Sequence, residues 1–246
     1  MRVISWFSRG AASAYATYLA HQKYGSDMEA VYCKVAEESP DSCDFLQQFA
    51  YKLNIPVKTI GDESYNYSIY EVFRKRQFIK GPNGAPCTMI LKKNVRKKYQ
   101  REGDIQVFGY TAEEGGRVDR FIDSNNDVDA DFILHDRGIT KKECLEWVQD
   151  VGLALPTMYK LGYANNNCIG CVKGGMGYWN AIRVDFPEAF NKMALLEREV
   201  GHAINKDQEG PVYLDVLASD RGNFTRDQPG DCGFTCEWQQ EELFNE

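Results

Sequence analysis

Apolar and polar positions alternate in blocks along the first 110 residues. Within residues 2–7 the apolar Val3, Ile4, Trp6 and Phe7 give way to small residues at Ser8, and residues 12–24 carry Ala, Tyr and Leu at helical spacing. The pattern predicts a buried strand that feeds a helix with no spacer. Residues 29–35 (EAVYCKV) predict a second strand. Residues 41–54 (DSCDFLQQFAYKLN) predict a helix with Asp41 or Ser42 placed to cap it, and residues 56–60 (PVKTI) a third strand. A basic helical segment is predicted at 88–101 and one more strand at 105–110 (IQVFGY). Strands and helices alternating at this pace build βαβ units and a parallel sheet.

From about residue 137 the texture changes. A helix is predicted at 140–150, a glycine- and asparagine-rich loop at 162–177 and a helix at 187–201, before a polar chain end. The expected organisation is an α/β, Rossmann-like core over 1–136, with a helical, cysteine-bearing region over 137–246. The apolar share of 43% and aromatic share of 13% supply a core and argue against disorder. A net charge of −7 is the wrong sign for coating nucleic acid, so any such contact needs a local basic patch. No apolar run approaches the roughly 18 residues of a membrane span, and no basic stretch followed by an apolar block marks the start. The expectation is an intracellular, cytoplasmic chain with no membrane partner.

Candidate chemistry begins at the first strand-to-helix junction, SWFSRGAASAY over 5–15. A helix start offers unpaired amides and a positive dipole end, and small residues let a phosphate approach the backbone. Ser8, Gly10, Ala11 and Ser13 suit that use, and Arg9 could add charge; a serine-capped tight turn is the alternative. Lys92, Lys93, Arg96, Lys97 and Lys98 fall within about two helical turns, close after the FRKRQFIK run at 73–80. Such runs are usually solvated faces, yet this one sits in an acidic chain. In GYTAEEGGRVDR, Arg117 and Arg120 follow Glu113 and could meet an anion or form ordinary helix-surface pairs.

The eight cysteines are Cys33, Cys43, Cys87, Cys144, Cys168, Cys171, Cys232 and Cys236. In a reducing compartment scattered cysteines pack in cores or sit idle, as Cys33, Cys43 and Cys144 are expected to. Close spacings point to metal or redox chemistry, as in CIGC at 168–171 and DCGFTC at 231–236. Four thiolates would suit zinc or an iron–sulfur cluster.

SWFSRGAAS resembles the PP-loop of the adenine nucleotide α-hydrolase-like superfamily, usually written SGG-x-x-S. With APCTMILKKNVRKKY at 85–99, FGYTAEEGGRVDRF at 108–121 and LPTMYKLGYANNNCIGCVKGGMGYWNAIRVDFPEAF at 155–190, the chain resembles the phosphoadenosine phosphosulfate reductase family in its phage and prophage branch. The likeness runs over nearly the whole chain. It implies a nucleotide-binding enzyme of sulfur transfer or reduction, in the bacterial host's cytoplasm if phage-encoded. The nucleotide, ATP or phosphoadenosine phosphosulfate, would rest on Ser8, Arg9, Gly10, Ala11 and Ser13. Glu37 and Glu38, at the second strand's end, would orient a ribose or a metal-bound phosphate, or else form a solvated turn. Thr88, Lys92, Arg117 and Arg120 would meet phosphate or sulfate, and Lys92, Arg117 and Cys232 would carry the chemistry. A thiol or electron-donor protein would be the partner, and a homo-oligomer is compatible with the pattern.

Three departures qualify the likeness. Arg9 replaces the loop's first glycine, Ala12 stands where ATP-hydrolysing relatives often carry Asp, and Thr235 replaces the histidine of the Glu-Cys-Gly-x-His tail. Three cysteine readings stay open. Cys168, Cys171, Cys232 and Cys236 could hold zinc. Cys87, Cys168, Cys171 and one C-terminal cysteine could hold a 4Fe–4S cluster. Without a metal, Cys232 could be the nucleophile. Two rival functions stand beside reduction: ATP-dependent adenylation and thiolation of a nucleic-acid base, and non-catalytic nucleotide binding on a zinc-stabilised fold.

Overall fold

The structure, a computed structural model, describes residues 1–82, 84–223 and 226, so Cys232 and Cys236 lie outside the described residues. Five parallel strands, β1 (Val3–Trp6), β2 (Met28–Cys33), β3 (Val57–Ile60), β4 (Ile105–Val107) and β5 (Asp129–Asp131), form one sheet in the order β3-β2-β1-β4-β5. The helices in chain order are α1 (Ala11–Tyr24), α2 (Asp41–Leu53), α3 (Ile69–Arg76), α4 (Pro86–Thr88), α5 (Asn94–Tyr99), α6 (Gly115–Ser124), α7 (Ile133–Asp136), α8 (Lys141–Asp150), α9 (Thr157–Lys160), α10 (Met176–Asp185) and α11 (Pro187–Val200). Two compact units divide the chain. The first is Met1–Lys34, Ser39–Gly61 and Val95–Lys160; the second is Val35–Glu38, Asp62–Asn94 and Leu161–Glu246. No helix among the described residues is long and apolar enough to cross a membrane.

The first unit is the α/β layer. Central strands of a parallel sheet are covered on both faces and read as continuous apolar runs; β1 is buried at all four positions. Ala11, Ala14, Ala16 and Ala20 are buried on α1, and these short side chains let the helix lie close to the sheet. Phe7 packs on Phe49 at 4.7 Å between centroids, and Tyr15 of α1 stacks on Trp147 of α8 at 4.6 Å. The cap expected of Asp41 or Ser42 does not form. Pro40 stands at the N-cap of α2 without a side-chain cap bond, and Asp41 instead accepts from the Thr157 amide and hydroxyl at 2.6 and 2.7 Å.

Arg96 belongs to the basic run of the sequence but not to the surface. It is fully buried, 5.4 Å from the Phe121 centroid, and donates to Asn125 Oδ1 at 2.9 Å. Burial pulls its pKa down to about 10.

In the second unit, α3 packs against α11 and α4, and α10 against α11. A two-stranded antiparallel hairpin, β6 (Asn205–Lys206) and β7 (Pro211–Val212), follows. Glu197 of α11 is fully buried and accepts from the Ile204 and Leu214 amides, both at 2.6 Å, tying the segments on either side of the hairpin to the helix.

Candidate functional site

The junction between β1 and α1 is built as a tight turn. Arg9 takes a left-handed conformation (φ 61°), and Gly10 is extended at the N-cap without a side-chain cap bond. Ser13 Oγ accepts from the Ser8 amide and hydroxyl, both at 3.0 Å, and donates to the Gly10 carbonyl at 2.9 Å. Beneath the turn lies Gly109, where a Cβ would come within 2.8 Å of Ser13 N and Cα. The backbone after β4 therefore supports the first turn of α1 directly. The amides of Ala12 and Ser13 have no intrahelical acceptor at this end of the helix.

Two side chains that sequence reasoning did not single out complete the turn. The Tyr159 hydroxyl accepts from the Ala11 amide at 3.1 Å. Tyr32 of β2 accepts from the Arg9 guanidinium, whose carbon lies 4.2 Å from the Tyr32 centroid, and Cys43 Sγ accepts from Arg9 Nη1 at 3.0 Å. Arg9 is only 3% exposed. As arranged here, it turns inward and braces the loop. Tyr159 lies within LPTMYK, but nothing in that spacing signals a return to α1.

Arg117 and Arg120 lie in the first unit on α6. Glu114 forms a capping box with Thr111 and pairs with Arg117, whose guanidinium carbon sits 4.5 Å from the Tyr110 centroid. Arg120 is exposed.

The second unit gathers the other candidates. Glu37 is occupied structurally: its carboxylate accepts from the Ser68 hydroxyl at 2.5 Å and the Ile69 amide at 2.9 Å at the start of α3. Its carbonyl accepts from the Ile169 amide at 2.9 Å, holding the cysteine loop. The neighbouring Glu38 is the residue that meets the basic segment, 3.8 Å from Lys92 Nζ. Thr88 is buried and Cys87 half-buried in α4.

Cys168 and Cys171 are buried thiols. Gly170 between them has φ 72°, and a Cβ there would come within 3.0 Å of the Trp179 ring. The Cys171 amide donates to Tyr178 Oη at 3.0 Å, and a Cβ at Gly174 would lie 1.9 Å from the Tyr178 ring. Burial, with the charges of Cys171 and Cys168 nearby, holds the Tyr178 phenol well above its ordinary range. Burial also draws Lys80 down, against the opposing pull of Cys171 and Glu197. Among the described residues, no three His, Cys, Asp or Glu side chains gather as a metal site. The thiols of Cys33 and Cys144 are buried as expected, and burial pushes Cys144 up to about 12. Cys43 is exposed.

The structure thus brings together Ser8, Gly10, Ala11 and Ser13 in one turn, and Lys92 with Glu38. A scan against protein-family models returns no match to the chain, and a search of curated proteins returns none either.

Proposed function

We propose that the chain is a PP-loop enzyme similar to phosphoadenosine phosphosulfate reductases, which binds an adenine nucleotide and acts in sulfur transfer or reduction. One observation carries the reading: the β1–α1 turn, with the Ala12 and Ser13 amides at the positive end of a 14-residue helix and the Ser8 hydroxyl nearby. The supporting resemblance lies in the quoted motifs. A nucleotide phosphate takes the place of the Tyr159 hydroxyl on the Ala11 amide. Arg9 holds the turn in shape through Tyr32. Lys92 and Arg117, each in its own unit, exchange Glu38 and Glu114 for an incoming sulfate or phosphate.

The knuckle at Cys168 and Cys171 fits part of a thiolate centre. Its glycine hinge and two buried thiols suit zinc or a 4Fe–4S cluster. Cys87 and the outlying Cys232 and Cys236 are the candidates for the remaining ligands. When bound, such a centre would supply structural closure or an electron or sulfur relay. The chain's own contribution is a buried loop that Tyr178 braces at the Cys171 amide and Glu37 anchors.

The test is calorimetry with ATP and with phosphoadenosine phosphosulfate on protein purified without oxygen, followed by sulfite release with a dithiol donor. Binding that weakens about tenfold in a Ser8→Ala/Ser13→Ala variant is expected, from the loss of hydrogen bonds to a charged group. Failure of both nucleotides to bind sinks the proposal. Pyrophosphate release from ATP on adding RNA selects base adenylation instead, and tight binding without turnover selects a non-catalytic role.

A further inference from the structure

At the opposite end of β1 from the Ser8–Ser13 turn, the first unit holds a cleft of about 450 Å³. Arg2 precedes β1, Glu29 and Lys58 are the second residues of β2 and β3, and Lys98, Tyr99 and Arg101 come from the end of α5 and the residues after it. No aliphatic side chain lines it, so it does not suit an apolar ligand. Its size falls within the range of small-molecule sites.

The charges divide into two sets. Arg2 is already matched, 2.5 Å from Glu29 and 2.8 Å from the buried Asp104. Lys58, Lys98 and Arg101 form no ion pair among the described residues and are exposed. Four cations thus face two carboxylates, in a chain whose net charge is −7. Tyr99 is fixed in place: its hydroxyl donates to Glu29 at 2.8 Å, and Arg2 and Lys58 each lie 4.8 Å from its ring centroid. With cations engaging the ring, recognition falls to charge rather than to base stacking. Although burial alone would raise it, Glu29 is held below the usual carboxylate range by hydrogen bonds from Tyr99 and Arg2. It stays ionised and keeps Arg2 oriented.

We propose that this cleft is a second anion site, which binds the phosphate groups of a ligand through Lys58, Lys98 and Arg101. The phosphates belong either to a free phosphate compound or to the backbone of a single-stranded nucleic acid. Neither source depends on what binds at the α1 turn.

The experiment measures binding of pyrophosphate and of a single-stranded RNA 12-mer at low salt to the full chain and to a Lys98→Ala/Arg101→Ala variant. Both replaced side chains are exposed, and a melting curve checks that the fold is kept. Pyrophosphate affinity, read in a Ser8→Ala/Ser13→Ala background that weakens the turn as a competing phosphate site, should fall at least tenfold when Lys98→Ala/Arg101→Ala is added. Displacement of pyrophosphate by the RNA identifies a nucleic-acid source, and its absence a free phosphate compound. Equal affinity of parent and variant for both probes, or no binding of either probe by the parent, overturns the proposal. Loss of nucleotide binding at the turn alone leaves these readouts intact and counts only against the function proposed above.

Discussion

Replacing Gly109 by alanine tests the support beneath the turn. The new Cβ would stand 2.8 Å from Ser13 N and Cα and 3.0 Å from the Ala12 carbonyl carbon. All three are backbone atoms, so no side chain can swing aside. Ordinary carbon contacts begin near 3.5 Å, so the first turn of α1 must retreat by about 0.7 Å or more. Overpacking of this kind costs about 1–3 kcal/mol. For a chain of this size each kcal/mol shifts the melting temperature by roughly 2–4 °C. The retreating atoms include the Ser13 amide, one of the proposed phosphate donors. Losing one charge-assisted hydrogen bond, worth about 1.5–3 kcal/mol, weakens nucleotide binding roughly tenfold to a hundredfold. Thermal unfolding and calorimetry with ATP read the two effects separately. A Gly109→Ala protein that melts and binds like the parent would refute the proposed role of Gly109.

Two further expectations concern single residues. Arg9→Ala and Arg9→Gly both lose the contact with Tyr32, worth about 1–2 kcal/mol, but only alanine retains the roughly 1–2 kcal/mol cost of the left-handed backbone. The alanine variant should melt lower, and equal melting temperatures would count against the strain. Burial raises the Glu197 carboxyl from 4.5 to about 7, although the Ile204 and Leu214 amides pull the other way. The folded chain therefore holds a proton that the unfolded chain releases at lower pH. This contribution to stability is complete below about pH 4.5 and is lost as pH rises through about 7. Urea unfolding at pH 5 and 8 should show the decline, and Glu197→Gln should flatten it; an identical slope in both proteins would exclude the mechanism.

The alternation that builds the sheet could be read directly from the chain. Val3, Ile4, Val31 and Phe49 are buried where the apolar pattern placed them, because central parallel strands and helix faces impose continuous or 3.6-residue periods. β5 left no such trace: its Asp-Ala-Asp sequence joins the sheet at one edge through backbone hydrogen bonds, with Asp129 exposed. The α3 sequence carries Ile69, Tyr70, Val72 and Phe73 on one buried face, but its Arg-Lys-Arg end drew the reading toward charge. At the candidate site, the residues of the turn were legible because they are contiguous. The inward set of Arg9 was not, since it depends on Tyr32 and Cys43, which are 23 and 34 positions away. Glu37 shows the same limit, as its capping of α3 is a long-range contact between two exposed-looking stretches.

The two flanking strands of the sheet carry opposite electrical signs. Lys58 stands on β3, and Asp129 and Asp131 on β5, with Asp131 held by Lys23 at 2.8 Å and by Tyr24 at 2.6 Å. Charged rims of this kind set like against like when two molecules approach with the same edge, which discourages β3 from pairing with β3 and β5 with β5. Only opposite edges meet with complementary charge, so the sheet carries an electrical direction across its strands.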